Sequence, residues 1–365
     1  MMPGLSIIRK ITAPSSTRSA QVVTSHRVRS CEIVTTTASR RAISSATQDA
    51  KLSYEWLVDG QVVPSDRNHE VHERYADREV IVFLHGLLGN AKNLRTPAKK
   101  LTERLPHLSA LCLDIRGHGN SNNNSSNGSS STKFCPPHNF QSCTHDIFHT
   151  LQPLGLVNDR SPVAICGHSL GGRIALQYSY ELITRQSPSL AEATIGISPP
   201  KQTWILDSVP GRVHPSVHNV INVISSIPLP IPSKSGLTSA LMEEHGFDKG
   251  AALWMASNLQ PTDGGFDWIF DLSIAKELIS NFTNQEFHSM IEHVVAGPER
   301  EVHLVMAGKN AEWTTDIVNC LKRIQSLQSR GEKFHMHTLE KAGHWVHVDD
   351  LEGLLELMVE SLSRR

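Results

Sequence analysis

The sequence has almost no net charge: 35 Lys and Arg stand against 36 Asp and Glu, for a formal charge of −1. Without a basic excess there is no overall electrostatic reason to bind nucleic acid, and no such partner is expected. The chain also lacks an apolar run near the roughly 18–20 residues that a spanning helix needs, and Pro228, Pro230 and Pro232 interrupt its most suspicious segment, 221–232. No transmembrane segment is expected. No apolar stretch follows the early basic residues, which argues against a secretory signal. Cysteine is scarce and scattered, at positions 31, 112, 135, 143, 166 and 320, so reduced thiols are expected in place of a disulfide framework. There is no internal repeat. The 365 residues are nonetheless enough to bury a substantial core.

The charge is unevenly divided. Residues 1–50 hold seven basic and two acidic residues together with sixteen Ser or Thr, which leaves 28 basic and 34 acidic residues in the remainder. This composition suits a transit peptide or a disordered leader. It points to a mitochondrial address, with plastid or cytoplasm as the alternatives.

From about residue 52 the pattern changes to alternating apolar runs and helical periods, the signature of an α/β domain over 51–365. Short β-branched or apolar runs at 79–84, 109–113, 162–166 and 193–197 read as buried parallel strands, with a crossover helix over 94–105 and another over 172–183. After Pro199-Pro200 the alternation stops for about a hundred residues, so 200–298 reads as a helical cap insertion. It resumes with a strand at 302–306, a helix at 313–328, a strand at 333–339 and a closing helix at 350–362. The run 121–132 (SNNNSSNGSSST) cannot bury apolar surface and reads as a disordered loop.

The sharpest chemical signal is Gly167-His168-Ser169-Leu170-Gly171 between an expected strand and an expected helix. A serine on such a turn adopts strained backbone angles and needs small flanking residues, which lifts its hydroxyl clear of the sheet. A hydroxyl requires a nearby base, and His344 follows the last expected strand, where it can reach the elbow. His85-Gly86-Leu87-Leu88-Gly89 leaves an earlier strand and supplies the second half of an oxyanion site, with the N–H groups of Leu87 and Leu170 as donors. His85, Gly86 and His168 are candidate substrate contacts. In the expected cap, Trp204, Trp254, Trp268 and Phe270 are candidates to line an apolar acyl pocket, or simply to pack cap on core.

Four motifs occur in order: FLHGLLGN (83–90), DIRGHGNS (114–121), GHSLGG (167–172) and AGHWVH (342–347). On these residues the chain resembles the α/β-hydrolase superfamily over about 54–364. Within it the chain is similar to the branch of small esterases that contains abhydrolase-domain-containing protein 11, its bacterial relatives and plant homologues. The resemblance implies the α/β-hydrolase fold, a mostly parallel sheet flanked by helices with a helical cap. It also implies Ser/His hydrolysis of a small acyl ester or thioester substrate, with no metal or other cofactor.

The third triad member departs from the superfamily pattern, whose usual position three residues after Gly308 is Ala311 here. Glu312, next to it, is the first choice for the acid and Asp271, near the cap tryptophan, the second. The position after 193–197 reads Gly196-Ile197-Ser198 and has no carboxylate. Two other readings stay open: acyl transfer on the same Ser/His site, and a hydrolase-fold module that binds a ligand or partner without catalysis.

Overall fold

The computed structural model describes residues 51–64, 75–122, 134–184, 194–211, 213, 215–327 and 333–363. The leader at 1–50 and nearly all of the loop at 121–132 lie outside these residues. Among the described residues, no helix is long and apolar enough to cross a membrane.

The apolar runs form one eight-stranded sheet. Its strands are β1 (Tyr54–Val58), β2 (Gln61–Val63), β3 (Glu79–Leu84), β4 (Leu108–Leu113), β5 (Ala164–His168), β6 (Gln202–Leu206), β9 (Glu301–Ala307) and β10 (Phe334–Leu339), in spatial order β10-β9-β6-β5-β3-β4-β1-β2. All pairs from β4 to β10 are parallel, and only β1 runs against β4 and β2. β4, β5 and β6 are buried at every position, which is why they read as continuous apolar runs without alternation.

Ten helices of nine residues or more accompany the strands among the described residues: α1 (Arg95–Arg104), α2 (Phe140–Leu151), α3 (Leu170–Thr184), α4 (Pro215–Ser226), α5 (Lys234–Glu243), α6 (Lys249–Ser257), α7 (Leu272–Ser280), α8 (Phe287–Ala296), α9 (Thr315–Ser326) and α10 (Leu351–Leu362), with a single turn at Val346–Asp349 before the last. Their starts follow local chemistry. Asn139, Thr314 and Asp350 each accept a backbone N–H from the first turn of the helix they precede. α2 and α3 pack on one face of the sheet through Phe148, Leu151, Ile174 and Tyr178, while α1 and α10 cover the other through Leu101, Leu354 and Met358.

Strand order reverses at β3, which has β4 on one side and β5 on the other. That places a crevice outside the carboxyl ends of the central strands. Every motif singled out in the sequence leaves a strand at this end.

One expected strand is misplaced. Residues 194–196 form a turn, with Gly196 at φ 76°, and the strand lies instead at Gln202–Leu206, inside the segment assigned to the cap. The insertion therefore begins after β6. Between β6 and α7 it holds a separate apolar cluster built on α4 to α7 and a hairpin of β7 (Leu259–Thr262) and β8 (Gly265–Trp268). α8, by contrast, packs with the core through Phe287, Ile291 and Val294 against Leu176, Ile205 and Leu304.

Candidate active site

Ser169 sits between the last residue of β5 and the first of α3, with φ 52°, a conformation that costs a non-glycine residue free energy. The surrounding backbone leaves no slack. A Cβ on Gly167 would lie 2.1 Å from the Gly171 carbonyl oxygen, and one on Gly171 would lie 2.3 Å from the Leu84 carbonyl oxygen. Glycine at 167 and 171 is thus a requirement of close packing between β3, β5 and α3. Leu170 opens α3, so its N–H has no partner one turn back in the helix and faces the end where the helix dipole is positive.

A ladder of backbone hydrogen bonds continues beyond the strand ends. Ser169 N–H donates to Leu206 O at 2.8 Å, Asp207 N–H to Val305 O at 2.8 Å, Gly308 N–H to Leu339 O at 3.0 Å and Lys309 N–H to Ala342 O at 3.0 Å. The ladder joins the exits of β5, β6, β9 and β10. Across it, His344 Nδ1 donates to Asp207 Oδ2 at 2.8 Å.

Asp207 is almost wholly buried, and its carboxylate takes three further donors. Ala307 N–H reaches Oδ1 at 2.9 Å, Trp313 Nε1 reaches Oδ1 at 2.6 Å and Asn310 Nδ2 reaches Oδ2 at 2.8 Å. With Nδ1 of His344 used as donor to the carboxylate, its Nε2 is left as the basic nitrogen.

Neither sequence-based choice for the acid occupies this position. The loop of Glu312 supplies the donors to the acid, through its neighbours Asn310 and Trp313, while the Glu312 N–H bonds to Asn310 Oδ1 at 3.1 Å. Asp271 caps α7, accepting from Ser273 N at 2.8 Å, Ser273 Oγ at 2.6 Å and Ile274 N at 3.3 Å. Asp207 was overlooked because of the misplaced strand. Once β6 is recognised as QTWIL, the residue after it is Asp207. The glycine within 193–197 was the available signal that this run turns.

The expected oxyanion segment lies close by. A Cβ on Gly86 would stand 3.5 Å from Ser169 Cβ, and Gly89 N–H closes a turn onto Gly86 O at 3.1 Å, a bond that does not involve the Leu87 N–H.

His85 and His168, expected as substrate contacts, are buried and tied to the surrounding backbone. His85 is fully buried, with Nδ1 donating to Gly86 O at 2.7 Å and Nε2 accepting Ile115 N–H at 3.0 Å. Burial and the neighbouring His118 push it down to about 3, so it stays neutral. His168 Nε2 donates to His344 O at 2.8 Å, and its ring packs 4.7 Å from that of His344 and 4.6 Å from that of His347. Burial, then His347 and His344, hold it well below the usual histidine range.

Two residues that the sequence reading passed over complete the support. His347 is buried beside His168 and lowered to about 3 by desolvation and by His344. Arg173, one turn into α3, is buried with its guanidinium against the rings of Phe282 (4.9 Å) and Phe287 (4.8 Å), and it donates to Val209 O and to Gln285 Oε1 at 3.3 Å. It thereby holds the chain just beyond Asp207.

The cap tryptophans divide. Trp204 belongs to β6, where it is fully buried and stacked 4.0 Å from His303, so it lines no cap pocket. Trp268 is buried in the insertion's own cluster, stacked 5.2 Å from Phe270. That cluster reaches the site through half-buried Leu87 and Trp345, and the Trp345 ring meets Trp254 at 5.6 Å.

Comparison with known proteins agrees with this architecture. The sn-1-specific diacylglycerol lipase ABHD11 of Mus musculus is 26% identical over 292 residues, covering 78% of this chain and 80% of that protein. A putative esterase/lipase of Haemophilus influenzae is 32% identical over 132 residues, 36% of this chain and 38% of that protein. Among solved structures, a marine microorganism esterase superposes with a TM-score of 0.59 at 16% identity, covering 85% of this chain and 99% of that one. The profile of the alpha/beta hydrolase family matches residues 81–357, more than half of the sequence, and the chain belongs to that family.

Proposed function

We propose that the protein is a serine hydrolase that cleaves carboxylic esters or thioesters through an acyl-enzyme intermediate. The observation that carries this reading is the 2.8 Å bond from His344 Nδ1 to the buried Asp207 carboxylate, made across the strand-end ladder that also holds Ser169. In this reading Ser169 Oγ attacks the acyl carbonyl while His344 Nε2 takes its proton. Asp207 holds the imidazole in the required tautomer and stabilises its cation. The N–H groups of Leu87 and Leu170 receive the oxyanion, the imidazolium protonates the leaving group, and water activated by His344 releases the acid.

The apolar cluster of the insertion, where it meets Leu87 and Trp345, would receive the acyl chain. By similarity to the mouse lipase, a neutral acylglycerol is the first substrate to try. The basic, Ser/Thr-rich leader favours delivery to mitochondria.

The test is reaction with a fluorophosphonate probe and mapping of the adduct by mass spectrometry. Stoichiometric labelling at Ser169, absent in Ser169→Ala and slowed in Asp207→Asn, is the expected result. Failure of the folded protein to label would move the non-catalytic reading to first place. Assays with added alcohol acceptors separate hydrolysis from acyl transfer.

A further inference from the structure

At the opposite pole of the sheet, the amino ends of β9 and β10 bring together Glu301, His303, His335 and His337. The parallel register sets His303 beside His335, and residues two apart on a strand share a face, so the four side chains lie together. Roughly 16 Å of strand separates His303 from the loop at Gly308, too far to serve the active site.

Glu301 Oε2 lies 3.1 Å from His303 Nε2 and 4.0 Å from His335 Nε2, and one ligand atom from each of the three residues falls within 4.8 Å of the others. The remaining nitrogen of His303, Nδ1, is 3.2 Å from His337 Nε2, and Trp204 stacks on the His303 ring. That ring is therefore oriented with Nε2 toward Glu301. Gln202 Nε2 donates to Glu301 Oε2 at 3.3 Å, and Ser361 Oγ lies 3.2 Å from His303 Nε2.

His335 Nε2 is shielded from water yet has no hydrogen-bond partner, a state that costs free energy. A metal ion would supply that partner. Tetrahedral zinc with bonds of about 2.0–2.1 Å separates its ligand atoms by about 3.3 Å, between the two distances observed from Glu301. The His335 ring now stacks at 17° to that of His303, so coordination requires it to turn on its side-chain bond. Its partial exposure, 19%, and that of Glu301, 37%, allow this turn and give an ion a path from solvent.

We propose that Glu301, His303 and His335 form a zinc site, completed by solvent, that clips the edge strand β10 to β9. Two imidazoles and a carboxylate suit zinc better than magnesium or calcium, which prefer all-oxygen shells. His337 would act through His303, holding its ring.

The test is titration of the full-length protein with cobalt(II), read by its visible absorption, and with zinc(II), read by competition against a chromophoric chelator and by Tm. The expected result is one high-affinity equivalent with a four-coordinate cobalt spectrum and a Tm raised by zinc. His335→Ala and Glu301→Gln, each checked for native circular dichroism, should lose that equivalent and the Tm rise, and His344→Ala should keep both. Glu301→Gln preserves side-chain shape, which guards against a folding defect in the other variant. Absence of binding, an unchanged equivalent in both variants, or its loss in His344→Ala would overturn the proposal.

Discussion

The carboxyl ends of the sheet and the insertion above them are built by different means. At the strand ends, positions are fixed by backbone: the ladder from Ser169 through Leu206, Asp207 and Val305, the 2.1–2.3 Å clearances at Gly167 and Gly171, and a carboxylate with four donors. In the insertion, positions are held by apolar side chains such as Leu241, Met255, Trp268 and Ile279, on helices of nine to twelve residues and a hairpin of two four-residue strands. Backbone geometry tolerates little change, whereas apolar packing tolerates exchange of similar volumes. The first arrangement suits chemistry that needs atoms in fixed places, and the second suits a surface whose shape can vary.

The largest expected effect tests the first arrangement. Asp207→Asn should lower kcat about ten-thousand-fold, because the amide no longer enforces the tautomer of His344, while Glu312→Gln should leave kcat nearly unchanged. Comparable losses in both variants, measured with an activated ester, would remove the distinction between Asp207 and the loop that serves it. Gly171→Ala should next cost about 1–3 kcal/mol of stability in denaturant unfolding, since its Cβ meets the Leu84 and His85 carbonyls. A wild-type midpoint there would show the strand ends to be as forgiving as the insertion.

His347 gives a pH-dependent measure of the same region. Its folded pKa of about 3 is below the unfolded value of about 6.5, so it contributes stability that is present above pH 6.5 and lost as pH falls toward 3. His347→Gln should therefore reduce the fall in unfolding free energy between pH 7 and pH 5 by about 2 kcal/mol. An unaltered slope would place His347 in contact with solvent.

The smallest effect belongs to the insertion. Trp254→Ala, which removes the ring facing Trp345, should change kcat/KM for long relative to short acyl chains by about tenfold, with little change in probe labelling. An equal change for all chain lengths would mean that Trp254 supports the site and does not select the acyl group.

Much of this was legible beforehand. The strand expected at 79–84 is β3, that at 109–113 is β4 less one residue, and the helices expected at 172–183 and 350–362 are α3 and α10 within two residues at each end. These segments have a single plausible period, so local pattern and tertiary structure agree. β6 was not legible: Gln202 and Thr203 give its start a polar look, and two prolines just before it suggested the beginning of an insertion. In the fold those two residues are buried because Gln202 bonds Ser361 of α10 and Thr203 bonds Ser179 of α3, contacts remote in sequence. Asp207, the residue after this strand, was overlooked with it, and Trp204 was placed in the cap instead of the sheet.

The sequence by itself determined the class of fold and singled out the strand-to-helix turn at Ser169 and the histidine at 344, because each rests on local pattern: apolar runs, flanking glycines, a residue at a strand exit. Only the tertiary structure decided which carboxylate meets that histidine and how His85, His168 and Arg173 are used. Those outcomes depend on which strand lies beside which, a property set by sheet order over separations of a hundred residues or more, and no window of neighbouring residues encodes it.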